Sequence, residues 1–234
     1  MTTYEKVACV IPAYQAAATI ESVVRGLRTG VPEAAVIVVS DGSTDATLAA
    51  ARGCADAVLS FRQNRGKGAA LRLGFDTALR RGAERILTID ADGQHDPSSA
   101  PALLDALAAA DIAIGTRARR GTAMPIGRRL TNHLASSAVS AIARTDIADP
   151  QSGFRAFRRV VLERVKGVGD RYEFETDLLI RAVAAGFRIV DVPVATSYGA
   201  RSHFRPLADS LSVVRTIWRH RAGAAAAPSP GANR

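Results

Sequence analysis

Short apolar runs punctuate the first half of the chain at VACVI (7–11), AVIVV (35–39), DAVLS (56–60), ILTI (86–89) and DIAIG (111–115). Runs this short that stay apolar instead of alternating with polar residues suit strands covered on both faces, as in a parallel sheet. Ala- and Arg-rich stretches of helical length, 17–29, 44–52, 67–81 and 98–109, separate them. This β-α-β-α order reads as an α/β fold with a mostly parallel sheet flanked by helices. At 234 residues, one domain accounts for the whole length.

In an open parallel sheet, ligands bind outside the carboxyl ends of the strands. The segments PAYQ, SDGSTD and DADGQHD follow the first, second and fourth apolar runs, so they are expected to meet at one site. Asp96 reads as a helix N-cap, with Pro97 at the first helical position. Beyond Gly115 come a basic loop, an apolar helix at about 126–143, the segment DIADPQSGFRAF, a helix at about 174–185 and a strand in FRIVDVPV. This second part is expected to build onto the same sheet, giving a first half (1–116) and a second half (117–221) of one domain. A low-complexity tail, 222–234, reads as disordered.

Asp90 and Asp92 stand two residues apart at the end of a strand, spacing that puts both carboxylates on one side with Ala91 facing away. Two such groups repel unless a cation joins them, and a hard divalent ion accepts carboxylate oxygens and an amide oxygen such as that of Gln94. His95 reads as a surface polar residue and Asp96 as a cap. NRGKGAALRLG is not a P-loop, since Gly68 stands where Ser or Thr is required, and no G-x-G-x-x-G follows the first strand. Gly66 and Gly68 still permit close approach of the backbone to a ligand, with Lys67 available to a phosphate.

The formal charge of +9 is concentrated in Arg117, Arg119, Arg120, Arg128 and Arg129, and again in Arg201, Arg205, Arg215, Arg219 and Arg221. Such clusters mark an anionic partner. A nucleic acid is disfavoured, because aromatic residues make up only 5% of the chain and no stacking platform is evident. Cys9 and Cys54 lack ligand spacing and read as reduced thiols. No leader or membrane-spanning run is evident.

The blocks VIPAYQ, VVSDGSTDAT, NRGKGAALRLGF, DADGQHDP, GTR, DPQSGFRAF and YEFETDLLIRA occur in this order. Together they resemble family 2 glycosyltransferases over about residues 6–205, in particular the dolichyl-phosphate mannose synthases and bacterial polyprenyl-phosphate glycosyltransferases. The resemblance implies a Rossmann-like sheet of the GT-A type and an inverting transfer of a hexose from a nucleotide-sugar, of the GDP-mannose or UDP-glucose type, to a polyprenyl phosphate. It implies a Mg²⁺ or Mn²⁺ cofactor held by Asp90, Asp92 and Gln94. Pro12, Ala13, Tyr14, Asp41, Lys67, Asp90, Ala91, Asp92, Gln94, Arg201 and Ser202 would then bind the donor. Arg117, Arg128, Arg129, Ser152 and Arg155 would face the acceptor phosphate, with Asp92, Asp149 and Arg201 at the reacting centre. Glu173, Glu175 and Asp177 are left between an acceptor-site role and, for Asp177, a solvated helix face. The sequence departs from the family in carrying Gln15-Ala16 where Asn-Glu is frequent and Ser40-Asp41 where Asp-Asp is frequent.

Leu207, Leu211, Val214 and Trp218 recur at helical spacing among arginines, a pattern for a helix lying on an anionic bilayer or packed on the domain. A peripheral protein at the cytoplasmic face of the membrane follows, with a separate anchoring protein as a possible partner. Two rivals remain: the same fold with a soluble saccharide or metabolite acceptor, and a basic binder without enzymatic activity.

Overall fold

The computed structural model describes residues 4–117, 147–171 and 173–195. The expectations for the helix at 126–143, for Arg128, Arg129, Arg201 and Ser202, and for the C-terminal helix and tail lie outside the described residues.

Strands β1 (Val7–Ala13), β2 (Ala35–Asp41), β3 (Ala57–Phe61), β4 (Arg85–Thr88), β5 (Ile112–Arg117), β6 (Arg155–Arg158) and β7 (Ile189–Val194) form one sheet in the order β3-β2-β1-β4-β6-β5-β7. β1 pairs parallel with both β2 and β4. The chain thus winds from β1 through β2 to β3 on one side and resumes with β4 on the other. The gap beyond the carboxyl ends of β1 and β4 is therefore the switch point where open α/β sheets bind ligands.

Both faces are covered, which is why the strands carry uninterrupted apolar runs. Val7, Cys9, Ile11, Val36, Val38 and Leu87 pack with α1 (Ile20–Gly30) and α4 (Ala100–Ala106). The alternate residues Ala8, Val10, Ile37, Val39 and Ile86 pack on the other face with α3 (Lys67–Arg80), α5 (Arg159–Arg164) and α6 (Glu173–Ala184). The remaining helix, α2 (Thr47–Arg52), follows β2. The helix expected over 98–109 is shorter: Asp96 caps a 3-10 turn at Pro97–Ser99 by accepting from the Ser98 amide at 2.9 Å, and α4 begins only at Ala100. Pro101, which has no N–H to give, is tolerated in that first turn.

β6 and α5 escape the apolar-run reading. RAFR places a charged residue at each end of a four-residue strand, and β6 runs antiparallel to both β4 and β5. Thr88, the last residue of β4, pairs with Arg155, the first of β6. A reversed strand starts where its neighbours end, so the segment leading into β6 is delivered to the switch point. β7 closes this side by pairing parallel with β5, from Ile112↔Ile189 to Arg117↔Val194.

Cys9 is fully buried in β1, and burial pushes its thiol up to about 12. Cys54 is half-buried, and both cysteines are free.

α3 crosses β1 at Gly74, where a side-chain methyl would collide with Val10 Cγ1. Gly→Ala inside a helix ordinarily stabilises by about 0.8–1.0 kcal/mol, whereas overpacking a core costs about 1–3 kcal/mol. Gly74→Ala is therefore expected to lower stability in urea unfolding, and to become neutral or stabilising in a Val10→Ala background. A stabilised single variant would contradict this packing.

Candidate active site

The acidic turn lies just past β4. The strand ends at Thr88, so Asp90 and Asp92 are arranged by a turn and not by the pleat that the sequence pattern suggested. Gly93 takes a positive φ of 72°, and Asp92 Oδ1 accepts from the Gln94 amide at 3.0 Å, closing the turn. Ala91 is buried in the α1/α4 core, which fixes the turn to the sheet between the two carboxylates. Thr19 Oγ1 donates to the Ala91 carbonyl and ties the start of α1 to the same point.

Asp90 is confined on two sides. Lys67, the first residue of α3, places Nζ 2.7 Å from Asp90 Oδ1. The backbone of Gly153 also approaches the Asp90 carboxylate so closely that a Cβ would collide with both of its oxygens. Thr88 Oγ1 donates to the Gly153 carbonyl at 3.0 Å and holds that approach. The same Lys67 ammonium lies 2.8 Å from Glu175 Oε2 on α6, and Glu175 Oε1 lies 3.9 Å from Arg155. Lys67 and Glu175 are 14% and 7% exposed in their side chains and Arg155 only 1%, so the string Asp90–Lys67–Glu175–Arg155 is a largely desolvated set of alternating charges. Removing one member of a buried pair generally costs about 3–5 kcal/mol.

Burial alone would push the Asp90 carboxyl up and the Lys67 ammonium down. Contact reverses both: Lys67 holds Asp90 below the usual carboxylate range, aided by His95 and Arg155, while Asp90 and Glu175 hold Lys67 above its ordinary value. The turn is accordingly kept ionised.

On the β1 side, Pro12 and Ala13 are buried strand residues paired with Val39 and Ser40. Tyr14 is the first exposed side chain after them, 39% accessible at the mouth of the switch point. Gln15, at φ 52°, clamps the neighbouring loop: its Oε1 accepts from the Thr44 and Asp45 amides, and its Nε2 donates to Thr44 Oγ1. Ala16 donates its amide to Thr47 Oγ1 at 2.7 Å.

Several assignments change in the structure. Asp41 was expected to receive hydrogen bonds from a nucleoside; it is 3% exposed, and its oxygens accept from the Arg65 amide at 2.7 Å and the Gly66 amide at 2.9 Å. It anchors the entry to α3, where Gly66 adopts φ 102°, and so sets the position of Lys67. Lys67 itself is committed to two carboxylates instead of standing ready for a phosphate. Arg155 is not a surface phosphate ligand. Its Nε donates to Ser152 O at 2.6 Å, Nη2 to Pro150 O at 2.7 Å and Nη1 to Glu175 O at 3.1 Å, so it shapes the 150–152 loop from within. Ser152 is likewise buried, and its Oγ accepts from the Phe154 amide. Asp149 is half-buried at the start of that loop, its carbonyl accepting from the Ser152 amide.

His95 is 6% exposed, not superficial, with its ring 5.6 Å from that of Phe154. The Asp96 amide donates to Ala195 O beyond β7 and draws this part of the turn into the wall. Asp177 does not face solvent. Fully buried, it accepts from the Val168 amide at 2.7 Å and from Arg181 Nε at 2.6 Å. Glu175, and Gly153 within DPQSGFRAF, were expected on the acceptor side; their approach to Lys67 and Asp90 was not legible locally, because they lie 85 and 63 residues from Asp90 in the sequence. The only hint was their place inside DPQSGFRAF and YEFETDLL.

The structure thus brings together Asp90, Asp92, Lys67, Glu175, Gly153 and the Asp149 loop, with Tyr14 nearby on β1. Arg117 ends β5 opposite Val194. A divalent ion fits the donor set. Hard ions such as Mg²⁺ bind through one or two carboxylates, retain waters and complete their shell with substrate phosphates, and the turn offers two carboxylates and the Gln94 amide. Asp90 has one oxygen against Lys67 and Asp92 one against the Gln94 amide. Among the described residues no group of three His, Cys, Asp or Glu side chains that could hold a metal ion is present.

Glucosyl-3-phosphoglycerate synthase from Mycobacterium tuberculosis, solved with Mn²⁺, UDP and glucosyl-3-phosphoglycerate, superposes with a TM-score of 0.72 at 25% identity over 97% of this chain and 82% of that one. The same enzyme has been solved with Mg²⁺ and UDP, with a TM-score of 0.74. In sequence, the chain is 36% identical to the polyprenol monophosphomannose synthase of Mycolicibacterium smegmatis over 79% of its own length and 75% of that protein. It is 33% identical to the undecaprenyl-phosphate mannosyltransferase of Micrococcus luteus over 81% and 82%, respectively. The profile of glycosyl transferase family 2 matches residues 8–166. With a GT-A sheet and its acidic turn at the switch point, the chain belongs to glycosyl transferase family 2.

Proposed function

We propose that this enzyme transfers a hexose from a nucleotide-sugar to the phosphate of a polyprenol at the cytoplasmic surface of a membrane, with inversion at the anomeric carbon. The observation that carries this reading is the ionised DADGQ turn at the switch point, pressed against the loop that begins at Asp149. On this reading the turn serves the nucleotide diphosphate and the adjoining loop serves the acceptor. The relatives named for polyprenyl-phosphate products support the acceptor class. No helix among the described residues is long and apolar enough to cross a membrane, so the acceptor would be met from the surface.

Tyr14 packs against the nucleoside at the end of β1. Asp92, with Asp90 and Gln94, would hold Mg²⁺ or Mn²⁺, which when bound would offset the charge that builds on the leaving nucleotide. Arg201 and Ser202 add to that stabilisation, a role supported by the family's basic C-terminal block. The acceptor is a phosphate monoester with a second pKa of about 6, so it is already an anionic nucleophile at neutral pH and needs no strong general base. Arg117, Arg128 and Arg129 orient it, since guanidinium forks match phosphate oxygens. Asp149 orients the sugar or the acceptor at the reacting carbon. Buried Arg155 keeps the Asp149 loop in place without touching substrate.

A second reading, transfer to a small soluble phosphate, is favoured by one observation: the superposition on an enzyme solved with a phosphoglycerate product. Purified protein incubated with radiolabelled GDP-mannose or UDP-glucose, Mg²⁺ and either a short polyprenyl phosphate or 3-phosphoglycerate separates the two. Chloroform-soluble label is expected with the lipid, and label appearing only in the water-soluble fraction would overturn the lipid assignment. Asp92→Ala is expected to weaken Mn²⁺-dependent binding of the donor at least about tenfold, the loss seen even for outer-shell partners of metal ligands, with its melting temperature nearly unchanged. Calorimetry showing wild-type affinity would remove Asp92 from this role.

A further inference from the structure

Lys67 stands where a second positive charge has to arrive. Its ammonium is 2.7 Å from Asp90 Oδ1, and Asp90 belongs to the turn that, on the reading above, receives a divalent ion. A +2 ion joining Asp90 and Asp92 is repelled by an ammonium already in contact with one of its ligands, and the repulsion is strong because the site is mostly sheltered from water. The same Nζ is also 2.8 Å from Glu175 Oε2. Glu175 is 7% exposed and fixed on α6, and its own carbonyl is held by Arg155 Nη1 at 3.1 Å.

We propose that Lys67 is an internal counter-ion that holds Asp90 in the place of the divalent ion, and that Glu175 is a positioning residue onto which the ammonium withdraws when the ion binds. Glu175 acts through Lys67 and touches neither ion nor substrate. The arrangement gives the acidic turn a positive partner within the protein, since Lys67 lies against one Asp90 oxygen while the Gly153 backbone approaches the same carboxylate too closely to admit a Cβ. It also explains why a second carboxylate is buried behind the lysine: loss of Glu175 removes one of the carboxylates in contact with the ammonium and makes it compete harder for Asp90. A mixed-charge groove lined by Arg85, Asp105, Arg158 and Glu163 lies at the other end of β4 and β6 and plays no part in this exchange.

The two charges pull metal affinity in opposite directions, and that sign separates a counter-ion from a structural brace. Mn²⁺ binding to the purified full chain, without any acceptor, is followed by the loss of the free-ion electron paramagnetic resonance signal. Glu175→Gln is expected to weaken Mn²⁺ binding several-fold. Lys67→Met is expected to tighten it several-fold. Lys67→Met/Glu175→Gln removes the buried charges as a balanced pair and is expected to bind at least as tightly as wild type, so it carries the result where the single Lys67→Met variant does not fold, as judged by circular dichroism. Weaker binding in both Glu175→Gln and the double variant, the signature of a brace that loosens when any part is lost, would overturn the proposal, as would unchanged affinity in both. Wild type that takes up no Mn²⁺, like Asp92→Ala, would instead overturn the metal reading on which the proposal rests. Wild-type uptake together with the opposite shifts supports both.

Discussion

The contact between Lys67 and the carboxylates of Asp90 and Glu175 is the point at which the separate pieces of this protein become one site. Lys67 starts α3, Asp90 follows β4, and Glu175 lies in the first turn of α6, so one ammonium joins three elements from distant parts of the chain. Its own position is set from a fourth. Asp41, at the end of β2, accepts the amides of Arg65 and Gly66 and aims the helix entry at the turn. Unpaired, two buried carboxylates in such a setting would tend to take up protons. Pairing with Lys67 instead holds the Asp90 carboxyl below the usual carboxylate range.

The reversal of β6 matters as much as the charges. Had this strand run parallel to β4, the loop before it would have emerged at the far edge of the sheet. Because it is antiparallel, residues 149–154 arrive beside the acidic turn, and Gly153 approaches Asp90 so closely that only a residue without Cβ is accommodated. Arg155 then fixes the loop by bonding to the carbonyls of Pro150, Ser152 and Glu175. The acidic turn and the 149–154 loop are thereby built on the same sheet, which is the arrangement the proposed transfer between two substrates requires.

The parallel half of the sheet was legible in the sequence because its strands are buried on both faces and so read as plain apolar runs. The loops at its carboxyl ends were legible because topology sends them to one edge, whatever their residues. Asp90 and Asp92 do follow a strand, as their sequence pattern suggested, though a turn and not the pleat arranges them. What the sequence concealed were polar groups buried inside the fold. Arg155, His95, Asp177 and Asp41 all look like surface or ligand-binding residues, since local patterns equate charge with exposure, yet all four are buried. Asp41 is held by the amides entering α3, Asp177 by Val168 and Arg181, and Arg155 by the carbonyls of Pro150, Ser152 and Glu175, and β6 itself was hidden because its first residue is one of these buried charges.

The account stands on the DADGQ turn gripping a divalent ion against a donor diphosphate. The most direct measurement is an anomalous difference map at the manganese absorption edge, from crystals grown with Mn²⁺ and a nucleoside diphosphate. A single strong peak between Asp92 and the diphosphate, with Lys67 Nζ moved toward Glu175, is the predicted result. A diphosphate bound in the cleft with no peak at the turn, or a peak bound elsewhere, would contradict it.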